Sequence, residues 1–163
     1  MRVEVAYFDT RELCAPAAYA RGLAELAWDE RRDAAGRYLQ ARDRRLCVGA
    51  GLLAQAMLAD AGATDLTLAY GTYDKPYLAH HPSIHFNLSH SADYALCGVA
   101  DEPIGVDIQE MVAYDDALAR HCMCDDELAW IASQGDKSLA LTRLWVRKES
   151  YIKLTGEGLN HDL

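Results

Sequence analysis

Apolar and polar residues alternate along "VEVAYF" near the N-terminus, which predicts a first strand. The period then changes. Residues 16–28 and 29–40 carry helical spacing, and the acid pair Asp29 and Glu30 suits a helix N-terminus, where the backbone dipole favours negative charge. "RRLCVGAGLLAQAMLADAG" is a strong helix, with Leu46, Leu53, Met57 and Leu58 on its apolar side and Gly62 as its stop. "LTLAY" returns to a short strand. "GTYDKPYLAHHPS" reads as a loop, because Pro76 and Pro82 punctuate it. "IHFNLSHS" and "YALCGVA" predict two strands around a turn. After "DEP", "IGVDIQ" predicts another strand, with Ile104, Val106 and Ile108 facing one way and Gly105, Asp107 and Gln109 the other. "DDELAWIAS" begins a helix with acids in its first turn. "LWVRKESYIKLTGEGL" is the last helix, with Trp145, Glu149 and Ile152 on one face and Lys153 one turn after Glu149. Helices interleaved with antiparallel hairpins predict an α+β domain, and neither a repeat at a fixed period nor a low-complexity linker interrupts it.

Composition bounds what such a domain does. Of 163 residues, 51% are hydrophobic, enough for a sizeable core in one domain or in two small halves sharing a core. The formal charge of −9 disfavours a general nucleic-acid or anionic-membrane binder, so neither nucleic acid nor membrane is expected as a partner. No segment is long enough to span a bilayer, and the first residues read as a strand, not a signal peptide. With five cysteines at irregular spacing, this predicts reduced thiols and a cytoplasmic location. An anionic ligand must then be met by local charge. "RRDAAGRYLQARDRRL" supplies Arg31, Arg32, Arg37, Arg42, Arg44 and Arg45 against Asp33 and Asp43. Arginine suits phosphate through its rigid fork of donors, and a solvated helix face accounts for the pattern about equally well.

Four further stretches carry candidate chemistry. Asp107 on the polar face of "GVDIQ" can present a carboxylate to a divalent cation, or can simply face solvent. Glu149 shares a helix face with Trp145 and Ile152, where a carboxylate costs stability unless paired, metal-bound or at a cleft edge. An exposed ion pair with Lys153 is the plainer account. "FNLSHS" can offer donors to a phosphate, but Ser89 and His90 are adjacent and point to opposite faces of a strand, which argues against a catalytic Ser–His pair. "HCMCDDE" has no second ligand pair at zinc-like spacing, and Cys124 before two acids fits a helix start instead.

Read in series, "DKP", "FNLSHS", "IGVDIQ" and "WVRKESYIK" resemble the motifs of the phosphopantetheinyl transferase superfamily, in its Sfp-type branch, over roughly residues 1–160. The resemblance implies a pseudo-dimer of two similar α+β halves with antiparallel strands, here 1–108 and 109–163, the second half being short. It implies an Mg²⁺-dependent enzyme that moves the 4′-phosphopantetheine arm of coenzyme A onto a serine of an acyl or peptidyl carrier protein and releases adenosine 3′,5′-bisphosphate. By position, Asp107 and Glu149 match the metal-binding carboxylates, and Glu149 the base for the serine proton. Lys153 and His90, with the neighbouring Ser89, match the contacts to the coenzyme A phosphates. Lys75 and Pro76 match the loop beside the adenine, and Arg45 a basic residue near the 3′-phosphate. Arg120, Met111, Val112 and Met123 lie where relatives contact the carrier. Two positions depart from the pattern. Gln109 stands where many relatives have a third acid, leaving its carbonyl oxygen as an uncharged metal ligand, and Asp74 stands where they have glycine. Relatives also continue well beyond the "GEGL" segment. Gln109 and the short second half keep open an alternative, a coenzyme A or carrier-protein binding module with lost or reduced catalysis.

Overall fold

The computed structural model describes residues 2–71 and 73–156. Strand β1 (Val3–Asp9) runs through a 3₁₀ turn (Thr10–Leu13) into α1 (Pro16–Glu25), α2 (Asp29–Arg37) and the long α3 (Ala41–Asp60). Then come β2 (Leu68–Tyr70), β3 (Pro76–Leu78), β4 (His85–Ser91) and β5 (Tyr94–Ala100). Helices α4 (Asp116–Cys122), α5 (Asp125–Ala132) and α6 (Lys137–Thr155) complete the described fold. It is α+β, and every strand pair is antiparallel.

The main sheet has the order β1-β5-β4, and β2 pairs with β3 in a separate hairpin. Helix α3 packs across one face of the main sheet. A Cβ at Gly49 would come within 2.8 Å of Phe8 and Thr10 side chains, so glycine there lets helix and sheet meet closely. Met57 and Leu58 of α3 enter a core with Trp28, Leu78, Phe86 and Val99, and Val48 enters a second with Leu13 and Leu26. A third core, Ala119, Met123, Ile131, Ala140 and Leu141, lies wholly within α4, α5, α6 and the turn before α5. All five cysteines are free, and burial pushes the Cys97 thiol up to about 12.

Most elements follow the pattern of the chain. Gly62 adopts φ +93° just after α3, the left-handed conformation of a helix stop. Cys124 caps α5, and its amide donates to the Glu127 carboxylate at 2.8 Å. Three stretches differ. Residues 76–78 form a strand inside the expected loop, because Pro76 sits at a strand start, where its missing N–H is tolerated. Helix α4 begins at an Asp115 side chain that accepts from the Leu118 amide. Residues 104–109 are extended but form no strand: their amides meet side chains of β4 instead of a neighbouring backbone.

Helix α6 is anchored to α5 by an ion pair. Lys148 Nζ lies 2.7 Å from Glu127 Oε2 and donates to the Cys122 carbonyl at 2.9 Å. Burial pushes the Glu127 carboxyl up, but the Lys148 ammonium and the Cys124 amide outweigh it and hold the group below the usual glutamate range. A depressed folded pKa means stability that is present above the unfolded value and lost as pH falls through the folded value. The melting temperature of the wild type is therefore expected to fall below about pH 4.5 more steeply than that of Glu127→Gln. Parallel acid melting curves for the two proteins refute the pair's contribution.

Candidate functional site

The pleat of β4 sends alternate side chains to opposite faces. Leu88 and His90 turn toward α3, where they line a cavity of about 320 Å³ with Arg31, Asp43 and Cys47. Asn87, Ser89 and Ser91 point the other way, toward residues 104–110 and α6. The extended segment crosses this face closely: a Cβ at Gly98, on β5, would come within 2.5 Å of Val106 Cγ1.

Ser89, Asp107 and Lys153 converge there. Ser89 Oγ donates to Asp107 Oδ1 at 2.7 Å. Lys153 Nζ donates to the same Asp107 oxygen at 2.6 Å and to Ser89 Oγ at 2.7 Å. The Asp107 side chain is 6% exposed and that of Lys153 27%. Lys153 thus pairs across the fold with a buried carboxylate, and not with Glu149 one turn away on its own helix. Buried charges demand partners more strongly than exposed ones, and this outweighs helical proximity.

Glu149 is half-buried on the same side of α6. Burial pushes its carboxyl above the usual glutamate range, the Asp107 charge pushes the same way, and Lys153 opposes both. Asp107 Oδ2 is buried with no hydrogen-bond partner among the described residues. A glutamate whose charge is disfavoured by burial and by Asp107, beside an aspartate with an unsatisfied buried oxygen, fits a hard divalent cation that takes its remaining ligands from phosphate oxygens and water. No group of three or more His, Cys, Asp or Glu side chains converges among the described residues. Gln109 donates from Nε2 to the Glu110 carbonyl at 3.2 Å and lines an apolar groove with Val112, Leu141 and Trp145.

The other expected site residues lie around this centre. Lys75 and Pro76 line a cavity of about 350 Å³ with Tyr73, Tyr77, Phe86 and Ile104. The Lys75 ammonium is committed elsewhere, donating to the carbonyls of Ile104 (3.2 Å), Lys153 (2.6 Å) and Leu154 (3.0 Å) and so capping the C-terminus of α6. Asp74 adopts φ +55°, the left-handed conformation that glycine takes readily and aspartate tolerates. Arg45 pairs with Asp93 at 3.4 Å beside the β4–β5 turn. Arg31, unremarkable in sequence among six arginines, is the one beside His90, and only the fold singles it out. Burial lowers the His90 pKa, and the Lys153 charge adds to this. In the apolar region beyond Gln109, Met111 is exposed, whereas Met123 is a core residue at 6% exposure and presents no surface to a partner.

Residues 103–163 match the 4′-phosphopantetheinyl transferase superfamily model. A 4′-phosphopantetheinyl transferase of Bacillus pumilus is 42% identical over 91 residues, covering 55% of this chain and 39% of the relative. One from Bacillus subtilis is 30% identical over 136 residues, 80% of this chain and 61% of the relative. One from a Nostoc species is 31% identical over 146 residues, 83% of this chain and 62% of the relative. The chain spans less than two thirds of the length of each of these relatives.

Proposed function

We propose, from the kinship of this chain with the 4′-phosphopantetheinyl transferase superfamily, that it transfers 4′-phosphopantetheine from coenzyme A to a carrier-protein serine. The observation that carries the reading is the meeting of Ser89, Asp107 and Lys153, from three of the four motif segments of the resemblance, with Glu149 one turn before Lys153 and within reach of the Asp107 charge. The serine Oγ attacks the β-phosphorus, the bond to the bridging oxygen breaks, and adenosine 3′,5′-bisphosphate leaves with that oxygen. Glu149 takes the serine proton. Lys153 places a positive charge beside the pyrophosphate, and His90 with Arg31 offers donors on the opposite face of β4, which suits a ligand bearing phosphates at two places. The cavity of Lys75, Pro76, Tyr73 and Tyr77 has the aromatic lining that a purine ring favours. Asp107 and Glu149 would hold Mg²⁺, which supplies charge neutralisation for the pyrophosphate.

Incubating apo carrier protein, coenzyme A and Mg²⁺ with this chain is expected to add one phosphopantetheine to the carrier, read by mass spectrometry. Tight coenzyme A binding with no transfer to any carrier of a panel favours the binding-module reading, which Gln109 in place of an acid supports. The same residue gives a second test. A charged carboxylate there is expected to tighten Mg²⁺ binding in Gln109→Glu by about tenfold, measured by calorimetry with coenzyme A present. An unchanged affinity removes position 109 from the metal site.

The same kinship supports a division of the chain and a docking face. The boundary between halves near 108 is supported by the separate core of α4–α6, and the pseudo-dimer by the family. The carrier is expected to meet the exposed Met111, the groove of Val112 and Trp145, and the exposed Arg120 of α4. No helix among the described residues is long and apolar enough to cross a membrane, and a cytoplasmic site of action follows from the proposed substrates.

A further inference from the structure

Three hydrogen bonds between β4 and the segment after β5 share one geometry. The Val106 amide donates to Asn87 Oδ1 at 2.9 Å, the Ile108 amide to Ser89 Oγ at 3.3 Å, and the Glu110 amide to Ser91 Oγ at 2.8 Å. Each pair is 19 residues apart in sequence, so the segment runs parallel to β4 and in register with it at every second residue. A parallel strand would bond backbone to backbone. Here the segment instead lies over the sheet face, as the close approach of Val106 to Gly98 requires, and the short polar side chains of β4 bridge the gap.

We infer that Asn87, Ser89 and Ser91 form a side-chain ladder whose task is to fix the segment carrying Asp107, making them positioning residues for that carboxylate. The hydroxyl of Ser89 is fully used: it donates to Asp107 Oδ1 and accepts from the Ile108 amide and Lys153 Nζ. A serine offers one proton and two lone pairs, so none remains for a ligand phosphate. Asn87 and Ser91 bond the amides one residue before and three after Asp107, and restrain the backbone on both sides of it. The motif "FNLSHS" thereby divides its labour along the pleat, with the ladder on one face and His90 on the other. This deepens the proposed function and rests on it only for the consequence at the metal.

The test uses two residues that touch no reacting group. In Asn87→Ala and Ser91→Ala, the Val106 and Glu110 amides respectively are expected to lose about tenfold or more of their hydrogen-exchange protection, read by NMR. Mg²⁺ affinity in the presence of coenzyme A is expected to fall by about 10–100-fold, as when a residue orienting a ligand is removed. Ser91→Thr keeps the hydroxyl and is expected to restore both readouts, which a role in packing alone does not predict. Ser91, at the partly exposed end of β4, keeps the test open if Asn87→Ala fails to fold. Protection and affinity within about twofold of wild type in the alanine variants overturn the ladder. Lost protection with unchanged affinity overturns its positioning role. A wild type that binds no Mg²⁺, with protection still lost in the variants, supports the ladder and overturns the reading of Asp107 as a metal carboxylate.

Discussion

Gly105→Ala is expected to destabilise the fold by about 3 kcal/mol or more, the upper end of overpacking costs, or to leave the chain unable to fold. A Cβ at Gly105 would sit 2.0 Å from the Ser150 carbonyl oxygen and 2.5 Å from the Leu154 amide nitrogen. Both are backbone atoms of α6, so no side-chain rotation relieves the clash. The segment and the helix must separate, and the separation falls beside the Lys75 ammonium, which joins Ile104 to Lys153 and Leu154. Asp107 and Lys153, 2.6 Å apart across the same seam, move with it. Gly36→Ala is the control. Nothing lies within 4 Å of a Cβ there, inside α2, so alanine is expected to be neutral or to stabilise by about 0.5 kcal/mol through helix propensity. Urea denaturation of the two variants compares them directly. A Gly105→Ala protein within about 1 kcal/mol of wild type means that α6 does not press on the segment as described.

Why Gly105 stands in this motif was not legible in sequence, and the reason is general to the chain. Local periodicity revealed α3, β4 and β5, because an amphipathic pattern reports burial along one element. It also called 104–109 a strand. Period two reports that alternate residues face alternate ways, and Val106 is indeed buried while Asp107 turns toward Lys153. It does not report what the amides bond, which depends on a strand nearly twenty residues earlier. Helix α4 escaped because seven residues hold too little periodicity, although Asp115 three residues before Leu118 was an available cap signal. At the site, the order of motifs pointed to Ser89, Asp107 and Lys153, and the fold brings these three side chains into contact. Partner choice was a different matter. Spacing favours Glu149 with Lys153, whereas the fold buries Asp107 and gives it the lysine. Lys75 was legible as part of a ligand-side loop, but not as the cap of a helix whose end lies some eighty residues further on.

Glu149→Gln is expected to reduce transfer by about 10²–10⁴-fold, the range for loss of a general base, while leaving the melting temperature unchanged or slightly raised. The two readouts part because of where the carboxylate sits. Burial and the neighbouring Asp107 both disfavour its charge, so a carboxylate at this position costs stability. A neutral amide of the same shape removes that cost. Asp107→Ala is expected to lose at least as much activity, and here stability falls as well, by about 2 kcal/mol, because Lys153 loses the carboxylate it lies against. A carboxylate that serves both structure and chemistry behaves in the Asp107 manner in the thermal assay; one that serves chemistry alone behaves in the Glu149 manner. Carrier modification followed by mass spectrometry, with melting curves for both variants, separates them. If Glu149→Gln melts well below wild type and transfers phosphopantetheine at the wild-type rate, Glu149 belongs to the packing of α6, and the base must be sought elsewhere.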